Sequence, residues 1–205
     1  LMPSIYDLKP RFQALLRPGV AWLAAHGVTA NAVTLAAMLL SLALGAGLCL
    51  AGPQSPQWFL LLPGWMLARM ALNAVDGMLA REFGQQSALG AYLNELADVL
   101  ADAALFAPFA LQPALGWPAV CAVIVLSGVS EMAGALGPMV GAPRQYDGPL
   151  GKSDRALLFG ALGLWLDLAG SLPAAGFWLM PVAILALVVN MINRIRSGLR
   201  AIQTP

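Results

Sequence analysis

Carboxylate and carboxamide side chains stand inside two strongly apolar stretches of this chain. Asn73 and Asp76 lie in the first stretch, and Asn94, Asp98 and Asp102 lie in the second. At about 3.6 residues per turn, the members of each group share one face of a helix. Two antiparallel neighbouring helices could present these oxygen atoms to each other, and oxygen is the ligand that Mg²⁺ and Mn²⁺ prefer. The spacing therefore predicts a site for a hard divalent cation.

The same carboxylates could instead have a purely structural role. Arg69 and Arg81 lie in the first stretch and could pair with the acids to hold a bundle together. An ionisable group inside a membrane span is costly unless it faces a partner or a cavity, so it marks a candidate functional site. Gly77 directly follows Asp76, and Gly90 lies a turn before the polar group of the second stretch. Because a glycine lets a ligand approach the backbone closely, they favour a binding site.

The composition places these side chains in a membrane. Of the 205 residues, 60% are hydrophobic and only 10% are charged, and the mean hydropathy is +0.76. Soluble domains are roughly 45–50% apolar and about 25% charged. The net charge of +1 and the lack of a long basic stretch exclude a nucleic-acid partner. Cys49 and Cys121 lie in apolar stretches without metal-binding or redox spacing, which excludes a disulfide scaffold.

Six apolar stretches predict six transmembrane helices, at about 30–50, 58–81, 87–111, 117–136, 155–169 and 173–195. Either Thr29 or Asn31 could cap the first of them. Residues 1–28 mix apolar and basic side chains and predict an amphipathic helix on the membrane surface. The predicted fold class is an all-α integral membrane protein, a single domain over 1–205 with the six-helix bundle at 29–197.

The basic residues set the predicted orientation. All Lys and Arg except Arg69 fall towards the two ends of the chain, at the last residue of span two, or from the connection after span four to the first residue of span five. The alternate connections contain none, so the positive-inside rule places both termini and the acidic faces on the cytoplasmic side of the cell inner membrane. Two further acids, Glu131 and Asp167, have no evident partner in the sequence.

The motif around the acids resembles a family signature. The segment Asn73-Ala-Val-Asp-Gly-Met-Leu-Ala-Arg81, followed after eight residues by Gly90-Ala-Tyr-Leu-Asn-Glu-Leu-Ala-Asp98, is similar to the pattern D-x2-D-G-x2-A-R-x8-G-x3-D-x3-D of the CDP-alcohol phosphotransferase family. Two other segments resemble the family, Thr29-Ala-Asn-Ala-Val-Thr34 and Gly151-Lys-Ser-Asp-Arg155. The motif positions that match with the required spacing are Asp76, Gly77, Ala80, Arg81, Gly90 and Asp98.

The resemblance implies a transferase of phospholipid biosynthesis. Such enzymes move a substituted phosphate from a CDP-linked lipid donor, commonly CDP-diacylglycerol, to an alcohol or alcohol-phosphate acceptor and release CMP. The resemblance also implies a homodimer among membrane lipids and Mg²⁺ or Mn²⁺, as one or two ions. The implied metal ligands are Asn73, Asp76, Asn94 and Asp98, and Asp98 is also the implied general base. The implied CDP-binding residues are Asp76, Gly77, Ala80, Arg81, Gly90 and Thr34, and the acceptor-binding residues are Lys152, Ser153, Arg155 and Arg194.

Two of the four motif aspartates are asparagines in this chain, Asn73 and Asn94. A carboxamide can donate an oxygen to a metal but no charge, so the four positions supply a formal charge of −2 instead of −4. The sequence leaves open an active transferase and a catalytically impaired member that binds nucleotide-lipid or a partner without turnover. A third alternative is a small transporter that relays protons or cations, but the interrupted spans expected of transporters are not evident.

Restoring a carboxylate at position 94 tests the effect of the missing charge. We expect Asn94→Asp to bind Mg²⁺ or Mn²⁺ more tightly than the wild type, because a carboxylate attracts a divalent cation more strongly than a neutral carboxamide does. Calorimetric titration of both purified proteins with each metal measures the affinities. Equal affinities in the two proteins would contradict the prediction.

Overall fold

The computed structural model describes residues 5–203, with side chains from residue 11 onward, and within these residues all regular structure is helical. The all-α prediction is therefore confirmed. The long helices are α1 (Ile5–Ala25), α2 (Ala30–Ala51), α3 (Leu61–Glu82), α4 (Ala88–Phe106), α5 (Trp117–Ala135), α6 (Lys152–Ala169) and α7 (Leu179–Gln203). Short 3-10 helices lie at Pro56–Leu60, Ala107–Leu111, Gly137–Val140 and Ala174–Trp178.

Among residues 5–203, four helical segments are long and apolar enough to cross a membrane. They are Ala30–Ala51, Pro56–Glu82, Trp117–Val140 and Ala174–Gln203. The other two predicted spans correspond to α4 and α6, which have 19 and 18 residues and hold many of the charged side chains. Six spans therefore stay a prediction. The surface helix predicted over 1–28 corresponds to α1, its surface position stays a prediction, and residues 1–4 lie outside the described residues.

Side-chain caps fix where α2 and α4 begin. The hydroxyl of Thr29 accepts a hydrogen bond from the Ala32 amide at 3.1 Å, so Thr29 is the N-cap of α2. Gln85, in the loop before α4, also caps the start of α2, because its Oε1 accepts a hydrogen bond of 2.7 Å from the Ala30 amide. Ser87 caps α4 by accepting from the Gly90 amide at 2.9 Å. The first turns of α2 and α4 are thereby held at the end of the bundle where α3 finishes.

Helix α2 packs against both α3 and α4, while α3 also packs against α6, and α5 packs against α7. Gly45 allows the close approach of α2 to α4, because a Cβ at this position would overlap the carbonyl oxygen of Ala104. Deeper in the bundle, Phe106 and Phe159 stack with ring centroids 3.9 Å apart. A separate apolar cluster joins α1 to α3 through residues that include Val20 and Met78.

The close approach at Gly45 is testable with a matched glycine of the same helix. We expect Gly45→Ala to lower the free energy of unfolding by about 1–3 kcal/mol, because the added methyl group overpacks the contact with α4. Gly47→Ala is the control, since a Cβ there meets no heavy atom within 4 Å. Thermal unfolding of both variants in detergent measures the effect. A similar melting temperature for the two variants would show that α2 and α4 are not in close contact.

Candidate functional site

A cavity of about 430 Å³ opens where α2 and α4 begin and α3 ends. Its wall combines the polar face that the sequence predicts on α3 with the first turns of α2 and α4, and of the predicted polar face of α4 it includes Asn94 but neither Asp98 nor Asp102. The structure brings all six residues predicted to bind CDP into this wall, together with Asn73 and Asn94. The further residues of the wall are Ala30, Asn31, Gln85, Gln86, Ser87 and Ala91. The ligand assigned to these residues stays a prediction.

Asp76 is the one carboxylate in the wall of this cavity, which we call the α2–α4 cavity. The residue is 5% exposed, and its Oδ2 accepts a hydrogen bond of 2.7 Å from the Thr34 hydroxyl. The guanidinium of Arg81 lies near Gly77, only 3.0 Å from the point where a Cβ on this glycine would be. The cavity wall therefore contains one oriented carboxylate and one guanidinium. Gly77 leaves room for the guanidinium because it has no side chain.

Asp98, the predicted general base, lies outside the wall of the α2–α4 cavity. Its Oδ2 is 2.5 Å from the Nζ of Lys152, and its Oδ1 is 3.3 Å from the Nη2 of Arg69. Both carboxylate oxygens thus contact a cation. A second cavity of about 210 Å³, the α3–α6 cavity, adjoins this group and shares Asn73 with the first. Its wall consists of Met66, Arg69, Met70, Asn73, Lys152, Ser153 and Ala156.

The same ion pairs continue into the bundle. Asp102 accepts from Arg69 at 2.5 Å and from Arg155 at 3.1 Å. Glu131 on α5 lies 2.8 Å from Arg155 and within 3.4 Å of two further arginines, Arg144 and Arg194. Arg144 also donates to Glu95 at 2.7 Å. We call this connected set the ion cluster, and it consists of Glu95, Asp98, Asp102, Glu131, Arg69, Arg144, Lys152, Arg155 and Arg194.

The four residues predicted to bind the acceptor do not line a common cavity. Lys152 and Ser153 line the α3–α6 cavity. Arg155 and Arg194 are 0% and 2% exposed, and both already pair with Glu131. An acceptor role for the four residues stays a prediction, and Arg194 lines a different cavity from Lys152 and Ser153, one of about 350 Å³ between α5 and α7.

Glu131 has three partners that the sequence did not suggest. Its arginines come from the loop before α6, from α6 and from α7, at separations of 13, 24 and 63 residues along the chain. No spacing rule connects residues so far apart. The sequence did contain one indication, because an acid inside an apolar stretch needs a partner. The basic residues before α6 and late in α7 are predicted to lie together on one side of the membrane, so they were candidates for that partner.

The donor atoms limit how a divalent cation could bind. Within residues 5–203, no group of three or more His, Cys, Asp and Glu side chains is placed to hold a metal. Asp76 with the carboxamide oxygens of Asn73 and Asn94 fits a single ion in the α2–α4 cavity, since water and ligand oxygens can complete its coordination. A second ion does not fit, because Lys152 and Arg69 occupy the oxygens of Asp98.

Comparisons with known proteins identify relatives of nearly the whole chain. The family model of CDP-alcohol phosphatidyltransferase matches residues 27–190. The inner membrane protein YnbA of Escherichia coli K12 is 46% identical over 196 residues, which are 96% of this chain and 96% of that protein. The phosphatidylinositol phosphate synthase of Streptomyces avermitilis is 30% identical over 174 residues, or 81% of this chain and 64% of that protein.

Solved structures share the fold. The phosphatidylinositol phosphate synthase of Mycobacterium tuberculosis in complex with manganese and citrate has a TM-score of 0.72 and 21% identity, and the match covers 89% of this chain and 88% of the other. The same enzyme with CDP-DAG bound gives a TM-score of 0.70 and 22% identity, covering 88% and 92%. This chain therefore shares the fold of these two structures.

The central position of Glu131 predicts a large loss of stability on its removal. We expect Glu131→Gln to lower the free energy of unfolding by about 3–5 kcal/mol, because its arginines would remain buried without their shared counter-charge. Glu82→Gln is the control, since the Glu82–Arg17 ion pair is exposed and its loss changes little. Thermal unfolding in detergent measures both variants. Equal losses would refute a special role for the buried acid.

Proposed function

Because this chain belongs to the CDP-alcohol phosphatidyltransferase family, we propose that it transfers the phosphatidyl group of CDP-diacylglycerol to an alcohol and releases CMP. The family consists of membrane transferases of phospholipid biosynthesis. The observation that carries the proposal is the α2–α4 cavity, where Asp76, Gly77, Ala80 and Arg81 of the motif meet Gly90 and Thr34 from two other helices. A volume of about 430 Å³ is in the range of small-molecule sites.

The α2–α4 cavity and its surroundings fit a lipid-linked nucleotide. Arg81 offers a guanidinium for the diphosphate, and the polar side chains of Asn31 and Gln86 offer hydrogen bonds to the nucleoside. An apolar groove of about 600 Å³ lies between α2 and α3, lined by residues such as Leu44 and Ala68. Ala68 and Asn73 are five residues apart on α3, a rise of roughly 7.5 Å, so acyl chains in the groove can accompany a headgroup in the cavity.

The acceptor would bind in the α3–α6 cavity, which meets the donor cavity at Asn73. Its hydroxyl oxygen attacks the phosphorus that bears the diacylglycerol, a new P–O bond forms, and the P–O bond to CMP breaks. The electron pair leaves with CMP, and the hydroxyl proton passes to Asp98, the proposed base. Asp76, Asn73 and Asn94 would hold a divalent ion, which would neutralise charge at the diphosphate.

The location of this reaction is part of the proposal. A relative of 46% identity is named an inner membrane protein, which supports the same membrane for this chain. Six spans, cytoplasmic termini, a cytoplasmic site and a homodimer stay predictions. A solved neighbour holds manganese and another holds CDP-DAG, which supports a divalent ion and a CDP-linked lipid as ligands.

A second candidate function is binding of the nucleotide-lipid without turnover. Asn73 and Asn94 favour it because they remove ligand charge, and the ion pairs of Asp98 favour it because both carboxylate oxygens already contact a cation. The two functions share the donor cavity and differ in whether CMP is released.

Release of CMP distinguishes the two functions. Purified protein is incubated with CDP-diacylglycerol, Mg²⁺ or Mn²⁺ and a panel of alcohols and alcohol phosphates. We expect release by the wild type and a loss of about 10²-fold or more in Asp98→Asn, the usual contribution of a general base. Asp167→Asn is the control, since Asp167 lies near the end of α6 remote from the cavities.

Each outcome of the assay selects one function. Release that depends on Asp98 supports the transferase with this base. Binding of CDP-diacylglycerol without release supports the second candidate. Release that is unchanged in Asp98→Asn, with an unchanged melting temperature, would exclude Asp98 as the base while leaving the transferase intact.

A further inference from the structure

The ion cluster carries more positive than negative charge before any metal ion is added. It has five cationic side chains and four carboxylates, which gives a net formal charge of +1. The wall of the α2–α4 cavity adds Asp76 and Arg81, whose formal charges cancel. A divalent cation bound at the ion cluster would raise this positive charge, which is costly in a medium of low dielectric constant.

The excess of cations over carboxylates is most evident at Asp98. The carboxylate contacts the Lys152 ammonium at 2.5 Å through one oxygen and the Arg69 guanidinium at 3.3 Å through the other. The two motif positions that could add negative charge here are the neutral Asn73 and Asn94. A divalent ion at Asp98 would have to displace two cations and would gain no further carboxylate in return.

Arg69 and Lys152 also belong to the cavity that meets the α2–α4 cavity. Arg69 and Lys152 both line the α3–α6 cavity, and Asn73 belongs to the walls of both cavities. Lys152 has an exposed side-chain fraction of 31%, so its ammonium can reach a ligand there, whereas Arg69 is buried and held by Asp102 as well.

We infer that Lys152, supported by Arg69 and held in place by Asp98, supplies the positive charge that a second divalent ion would supply at the donor phosphates. The inference rests on the proposed function. This chain accordingly binds the CDP headgroup with one divalent ion at most, and a large part of its affinity for the headgroup persists without metal. Lys152 is a phosphate-binding residue in this assignment, and Asp98 is the residue that positions it.

The number of bound ions tests the inference without measuring activity. Mn²⁺ is titrated into the purified full-length chain in detergent in the presence of CDP, and free Mn²⁺ is counted by electron paramagnetic resonance. We expect one Mn²⁺ per chain for the wild type. We expect a second Mn²⁺ in the triple variant Asn73→Asp/Asn94→Asp/Lys152→Gln, which restores two carboxylates and removes the competing ammonium. Arg69 is retained because it also pairs with Asp102.

A single substitution gives a second test that does not depend on folding of the triple variant. CDP affinity is measured by calorimetry in EDTA. We expect Lys152→Gln to weaken binding by about tenfold or more, the usual effect of losing a hydrogen bond to a charged group. Lys152→Arg should retain most of the affinity. Arg196→Gln is the control, because Arg196 is an exposed cation of α7 outside both cavity walls.

The outcomes separate this inference from the proposed function. Two Mn²⁺ per wild-type chain, or metal-free CDP binding that Lys152→Gln leaves unchanged, would overturn the inference while CMP release could still establish the transferase. A wild type that binds CDP neither in EDTA nor with Mn²⁺ would overturn both. One Mn²⁺ per chain with a selective effect of Lys152→Gln supports the inference even if CMP release is absent.

Discussion

Charge inside an apolar bundle has to be neutralised by the protein itself, and this constraint arranges most of the structure. Glu131 and Asp102 are each about 95% buried, and both accept from Arg155, which is completely buried. Because α4, α5 and α6 each contribute one member of this group, no helix can shift along its axis without separating an ion pair. Arg194 extends the same restraint to α7. A network of this kind contributes specificity of packing more than net stability.

The α2–α4 cavity depends on that arrangement indirectly. The ion cluster holds α4 beside α3 and α6, and the caps formed by Thr29, Gln85 and Ser87 bring the starts of α2 and α4 to the end of α3. The motif residues could not face a common cavity if either restraint failed. Asp76 connects the two restraints, because its hydrogen bond to Thr34 ties α3 to α2 within the wall of the cavity.

The sequence predicted those features that depend on short spacing. Asn73 and Asp76 share a helix face with Ala80, and the structure places all three in one wall, as helical periodicity requires. The pairing of Asp98 with Lys152 and the cap that Gln85 gives to α2 join residues 54 and 55 positions apart, so local rules could not reveal them. The spans predicted at α4 and α6 stay predictions, because the charged side chains of these two helices weaken the apolar signal of a membrane span.

The order of synthesis gives the charges of α4 a further consequence. When α4 emerges from the ribosome, Arg69 in α3 is the one member of the ion cluster with positive charge that already exists. The partners of Glu95, Asp98 and Asp102 in the loop before α6 and in α6 itself are made about 50 residues later. The acids of α4 are therefore fully neutralised only once α6 has been made.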